Sequence, residues 1–336
     1  MSQSAGGAWL VTGASGFLGR HLLECLDRLP GETRTLALVR DQAAWEAMDW
    51  PSRLRRIEPV SGDILETAWW SDHRLEGLRG VFHLAALVSH APRDAEQVHR
   101  INVDGTLNQV RLAAERRCRL VFASTSGTVG CFRVPGVSAD EDTPYCEAEV
   151  EDWPYYRSKI AAERAARDLA GELGASLVIL RPPVLLGPGD HRLRSARHVL
   201  RLLEGKLPFL IEGGMHFADV RDVAPAMVQA MRIPNPRPVY NLPGTQCTIK
   251  EFYHMVAELS GVPAPRRVIS YRLARALSGM AARLGLSILP EPYLVEMAAH
   301  HWGLSSRYAE PDLGYRSRPG RATLGDTITW LRERAS

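Results

Sequence analysis

Short apolar runs alternate, through the first half of the chain, with longer stretches in which apolar residues recur every three or four positions. The runs fall at 8–12, 35–39, 57–60, 80–84, 119–123 and 176–180, and the helical spacing at 17–29, 94–117 and 157–173. A run of about five apolar residues suits a strand buried on both faces. Such strands separated by helices build a parallel sheet covered on each side. The pattern therefore predicts an α/β fold with a doubly wound parallel sheet. Ligands of such sheets lie outside the carboxyl ends of the strands.

Past Arg181 the alternation loosens, broken by Pro182, Pro183, Pro188, Pro208, Pro234, Pro236 and Pro238. Residues 1–180 read as the sheet portion. Residues 181–336 read as a smaller, irregular portion from which a segment at about 216–245 returns to the sheet. Thr248-Ile249-Lys250-Glu251 has the spacing of a capping box and opens a helix that runs to about Leu259 and ends near Gly261. From Arg272 to Leu289, Leu273, Leu277, Met280 and Leu284 share one helical face, and Arg272, Arg275 and Arg283 lie off it. That amphipathic helix is expected to pack on the core or the substrate pocket, with a membrane surface as the alternative. It favours a lipophilic ligand.

Candidate chemistry begins directly after the first run, with Thr12-Gly13-Ala14-Ser15-Gly16-Phe17-Leu18-Gly19. A strand that turns through glycines into a helix leaves free N–H groups at the positive end of the helix dipole, a site for pyrophosphate. Gly13 suits the tight turn, Gly16 the approach of phosphate and Gly19 the packing of helix on strand. The spacing G-x-x-G-x-x-G meets the generic dinucleotide fingerprint only in part. The second run ends in Arg40, about 20 residues past the last glycine, where an acid would hold a ribose 2′-hydroxyl and an arginine suits a 2′-phosphate. Arg40 thus favours NADP(H), with NAD(H) possible, and the neighbouring Asp41 is the competing ribose contact.

Tyr155 and Lys159 stand four apart at the start of a helical stretch, so they share a face. A free phenol titrates near 10, and a cation close by favours the phenolate, which turns the pair into an acid–base. Hydroxyls at 124–128 follow the run 119–123 and face the same crevice.

These residues resemble the extended short-chain dehydrogenase/reductases, the NAD-dependent epimerase/dehydratase superfamily. The resemblance takes in T-G-A-S-G-F-L-G at 12–19, G-D-I at 62–64, H-L-A-A at 83–86 and N-V-D-G-T at 102–106. It continues with S-T-S-G-T-V-G at 124–130, Y-Y-R-S-K at 155–159, R-P-P-V-L-L-G-P-G-D at 181–190, F-A-D-V-R-D-V-A at 217–224 and D-L-G-Y-R-S-R-P at 312–319. It implies a Rossmann portion that binds the cofactor and a C-terminal portion that covers the nicotinamide and forms the substrate pocket. It also implies Thr125, or Ser126 if the alignment shifts by one, with Tyr155 and Lys159 as the catalytic set. Cofactor contacts are implied at Gly13, Ser15, Gly16, Phe17, Leu18, Gly19, Arg40, Asp63, Ile64, Leu84, Ala85, Ala86, Ser124, Tyr155, Lys159, Pro182 and Val184, and Asn102 would steady the central helix. Dehydratases of this family carry an Asp-Glu pair where Ser126-Gly127 stands, and epimerases an asparagine where Pro182-Pro183-Val184 stands. The motif form is most similar to the 3β-hydroxysteroid dehydrogenase and dihydroflavonol 4-reductase branch. A ketone reductase or secondary-alcohol dehydrogenase on a lipophilic small molecule is the expected activity. A sugar-nucleotide epimerase and a non-catalytic cofactor-binding regulator are the rivals.

Composition changes little in this picture. The net charge of +3 is spread along 336 residues, which excludes a nucleic-acid-binding stripe. Five cysteines without a C-x-x-C pair give no metal or disulfide framework, and His300-His301 reads as surface or capping. No apolar run reaches the ~18 residues of a membrane span, and no leader is visible, so a cytoplasmic protein is expected. By analogy with the family, a homodimer is possible.

Overall fold

The computed structural model describes residues 7–31, 33–283 and 291–335. Seven parallel strands form the main sheet: Ile57–Ser61, Arg34–Val39, Ala8–Thr12, Leu78–His83, Arg119–Ala123, Leu177–Arg181 and Val239–Asn241, in that spatial order. Each pairing is parallel. The direction of strand succession reverses between Ala8–Thr12 and Leu78–His83, and the divergence of connections there opens the crevice predicted for the ligand.

Successive residues of the inner strands face opposite cores, which is why these strands read as unbroken apolar runs. Val11, Phe82 and Val121 pack with Leu22, Leu23 and Met227 on one face, whereas Leu10, Val81 and Leu120 pack with Val110 and Ala166 on the other. The helix Val220–Arg232 lies against Phe17–Asp27, so chain from beyond 181 covers the sheet.

Strands Val184–Leu186, Gly214–Asp219 and Thr245–Thr248 form a second, mixed sheet. Its core joins Leu186 and Phe217 to Phe252, Val256, Leu324 and Ile328. The capping box at Thr248 and Glu251 forms as expected, and its helix, Ile249–Ser260, ends on left-handed Gly261.

Three expectations change. The helical stretch 94–117 is interrupted by a π turn at Arg100–Asp104, between Ala95–His99 and Gly105–Glu115. The amphipathic helix spans Tyr271–Arg283 and turns its small residues inward: Ala274, Ser278 and Ala281 are buried, while Leu273 and Met280 are exposed. Leu284 to Leu289 lie outside the described residues. His300 is buried rather than on the surface and takes the capping alternative, with Nδ1 2.8 Å from the Glu296 carbonyl at the end of the helix Pro292–Ala298 and its ring against Trp153.

Candidate active site

The first strand ends at Thr12, and the chain turns through Gly13 (φ 70°) to Gly16, which opens the helix Phe17–Asp27. A Cβ on Gly13 would lie 2.6 Å from the Ala85 amide nitrogen, and one on Gly19 only 2.3 Å from the Gly13 carbonyl. Only glycine fits either place. No side chain caps this helix, so its first N–H groups remain for an anion. The fit to a dinucleotide pyrophosphate rests on these uncapped donors and on the closeness of the turn to 84–86.

A buried polar chain sets the turn against the fourth strand. Thr12 Oγ1 is 2.7 Å from His83 Nδ1, His83 Nε2 is 3.0 Å from Thr106 Oγ1, and the Ala85 amide donates to Thr12 Oγ1. Burial, aided by the charge of Lys159, pushes His83 down to about 3 and keeps it neutral.

Arg40 is exposed directly after the second strand. Asp41 is engaged elsewhere: its Oδ1 accepts the Ala44 amide and caps the short helix Gln42–Glu46. Asp63 and Ile64 follow the third strand. Asp63 Oδ1 accepts the Leu65 amide and the Ile64 carbonyl accepts Asn108 Nδ2, which holds this corner firmly.

The π turn places Asn102 where three elements meet. Its side chain exchanges two hydrogen bonds with the Leu87 backbone and donates to Ser158 Oγ, which in turn donates to the Tyr155 carbonyl. The loop after the fourth strand is thereby tied to the helix Pro154–Leu173. Pro154 starts that helix, so Tyr155 stands in its first turn.

Thr125 follows the fifth strand, its Oγ1 accepts the Gly127 amide at 3.3 Å, and its side chain acts on Tyr155 by favouring the phenolate. Burial pushes the phenol up to about 12 against the smaller opposing effects of Thr125 and Arg194, so the side chain is held protonated.

Lys159 departs from the arrangement expected of the pair. It is buried, and its Nζ donates to the Ala123 carbonyl at 2.7 Å and lies 4.4 Å above the Phe122 ring. Burial pushes it down to about 7, offset in part by the carboxylate of Glu163. Sharing a helix face puts the two residues side by side in the helix, but the Ala123 carbonyl, the Phe122 ring and the Glu163 carboxylate hold the ammonium inward against the cost of burial.

Glu163, one turn beyond Lys159, is fully buried and holds the loop 124–128. Its carboxylate accepts Arg181 Nε and Nη2, Ser124 Oγ at 2.5 Å, Thr128 Oγ1 at 3.2 Å and the Tyr145 hydroxyl at 3.1 Å. Pro182 joins the same cluster through its carbonyl, which accepts the Ser126 amide, and Val184 begins the second sheet. Helical spacing from Lys159 could have found Glu163.

Two further groups carried no sequence signal. The His90 ring packs edge-on to Tyr155 and 4.9 Å from the Tyr156 ring, its Nδ1 is buried with no hydrogen-bond partner among the described residues, and burial pushes it down to about 4. The second group is the loop 187–196. Arg192 Nη2 donates to Ser15 Oγ at 3.3 Å, Arg194 Nη1 to the Val88 carbonyl at 3.0 Å, and His21 Nε2 lies 2.9 Å from the Pro188 carbonyl. Asp190 shapes the loop by accepting the amides of Arg194, Ser195 and Ala196. It spans the crevice from the glycine turn to the loop after the fourth strand.

Residues 9–242 match the NAD dependent epimerase/dehydratase family. The sterol demethylase protein B of Methylococcus capsulatus is 29% identical and aligns with 97% of this chain and 98% of its own. A ketoreductase of Stigmatella aurantiaca, named for a farnesylated 3-oxo-dihydroquinoline oxide, is 27% identical over 96% of this chain and 95% of its own. The solved structure of MoeE5 with UDP-glucose and NAD is similar, with a TM-score of 0.73 and 25% identity over 98% of this chain and 100% of that one.

Proposed function

The chain belongs to the NAD dependent epimerase/dehydratase family, and within it we propose that it is an NADP(H)-dependent ketone reductase, or secondary-alcohol dehydrogenase, acting on a lipophilic small molecule. The observation that carries this reading is the placement of Thr125, after the fifth strand, with Tyr155, in the first turn of the helix Pro154–Leu173, at the carboxyl end of the sheet that also bears the glycine turn. A bound nicotinamide would supply or accept the hydride. Tyr155, kept as a phenol by burial, gives its proton to the carbonyl oxygen of the substrate, and Thr125 orients that oxygen. Oxidation would require Lys159 to leave the Ala123 carbonyl and stabilise a phenolate.

Arg40 is exposed at the second strand end while Asp41 caps a helix, and this supports NADP(H) over NAD(H). Gly13 to Gly19 and Ser15 would hold the pyrophosphate, Asp63 and Ile64 the adenine side, and Leu84, Ala85, Ala86, Ser124, Pro182 and Val184 the rest of the cofactor. A lipophilic substrate is supported by the sterol and farnesyl names of the two relatives.

Equilibrium binding of NADPH and NADH to the purified protein tests the cofactor reading, with any co-purified nucleotide identified by mass. Preference for NADPH by an otherwise empty protein is the expected result. Tightly retained NAD would contradict it and point to a sugar-nucleotide epimerase.

A further inference from the structure

Most helices that pack on a core bury their large apolar residues and leave small ones outside. The helix Tyr271–Arg283 does the reverse. Ala274, Ser278 and Ala281, at i, i+4 and i+7, face inward and are buried. Leu273, Ala276, Leu277 and Met280 form the outer stripe at i, i+3, i+4 and i+7. Leu277 is half-buried, and Leu273 and Met280 are 49% and 56% exposed. Val268, just ahead of the helix, is 41% exposed. Three of the large exposed apolar side chains among the described residues therefore lie within one short stretch.

The charge of this stretch is one-sided. Between Glu258 and Glu291 the chain carries Arg266, Arg267, Arg272, Arg275 and Arg283 and no carboxylate side chain. All five arginines are exposed. At about 100° per residue, Arg283 and Arg272 fall about 20° and 40° beyond Ala276, the edge residue of the apolar stripe. An apolar stripe bordered by cations matches the boundary between acyl chains and anionic headgroups. A second copy of the same surface would instead bring like charges together. No described helix is long and apolar enough to cross a membrane, so any lipid contact of this helix is interfacial.

We propose that the helix Tyr271–Arg283 docks this protein on anionic lipid bilayers, with Leu273 and Met280 entering the acyl boundary and Arg272, Arg275 and Arg283 meeting the headgroup phosphates. The contact needs neither cofactor nor substrate, so it stands or falls apart from the proposed activity.

The test is cosedimentation of the full chain with vesicles of phosphatidylcholine alone and of phosphatidylcholine mixed equally with phosphatidylglycerol. Binding to the mixed vesicles only, weakening as salt is raised, is expected. Leu273→Glu with Met280→Glu should lower that binding at least about tenfold. Replacing Arg272, Arg275 and Arg283 by Gln should lower it roughly a hundredfold, at about fivefold per arginine. Both variants alter exposed side chains, and unchanged circular-dichroism melts would show that each is folded. No binding to mixed vesicles would overturn the proposal, as would binding that the folded variants retain. Self-association that Leu273→Glu with Met280→Glu abolishes, without vesicle binding, would overturn it in favour of a second copy.

Discussion

Thr125, Tyr155 and Lys159 stand on a strand end and a helix of the parallel sheet, whereas Arg192 and Arg194 reach the same crevice from the irregular loop 187–196. The first group is fixed many times over. Asn102 ties the helix of Tyr155 to the loop after the fourth strand, Glu163 ties the hydroxyls of Ser124 and Thr128, on either side of Thr125, to Arg181, and Lys159 is anchored to the Ala123 carbonyl. The second group hangs on single hydrogen bonds to a hydroxyl and a carbonyl, from a loop that includes left-handed Leu193 (φ 49°). Proton transfer needs geometry held to a fraction of an ångström, which the buried network supplies.

The sharpest way to break this comparison is to remove the proton donor. Tyr155→Phe should lower turnover on the order of 10²–10⁴-fold while NADPH binding, read by titration, stays within a few-fold of normal. An equal loss of both would mean that the phenol holds ligand rather than moving a proton.

Next in size is the buried network. Glu163→Gln leaves Arg181 charged and enclosed, so the protein should lose about 3–5 kcal/mol of stability in denaturant melts. Its ion pair with Arg181 holds the Glu163 carboxyl below its ordinary range despite burial. That contribution is present above the unfolded carboxyl value and is lost as pH falls through the folded one. The wild type should therefore lose stability toward acid more steeply than Glu163→Gln.

Lys159 works in the opposite sense. Its value is pushed down to about 7, so above that pH the unfolded chain holds a proton that the folded chain has released. Stability should rise between pH 7 and the ordinary lysine range, and Lys159→Met should flatten that rise in melts taken across this window.

At the rim, Arg40→Ala should weaken NADPH about 10–100-fold and leave NADH unchanged, since only the 2′-phosphate is lost as a partner. The smallest effect belongs to the loop. Arg194→Ala should change KM by a few-fold, with kcat nearly constant, because its single hydrogen bond to Val88 is worth about 1 kcal/mol.

Legibility in the sequence follows the same division. The sheet strands could be read because burial on both faces demands unbroken apolar runs, and the glycine turn because no side chain fits at Gly13 or Gly19. Tyr155 and Lys159 could be read from helical spacing, yet the inward course of Lys159 depends on a carbonyl 36 residues away in sequence. The second sheet was hidden because its strands are short and come from three separated stretches. His90, Arg192 and Arg194 carry no periodicity, and only tertiary packing brings them to the crevice. The amphipathic helix was legible as a helix, but which face it buries was not. Its small residues match the space available, and apolar pattern alone would have pointed the leucines inward.

The central claim is that this crevice reduces a lipophilic carbonyl, with the proton supplied by Tyr155. Its most direct test is NADPH consumption over a panel of hydrophobic ketones, run side by side with wild type and Tyr155→Phe. Consumption with at least one ketone in the wild type, and almost none in the variant, is the predicted result. Equal consumption by the two proteins, or no consumption by a wild type that arrives carrying bound NAD, would contradict it.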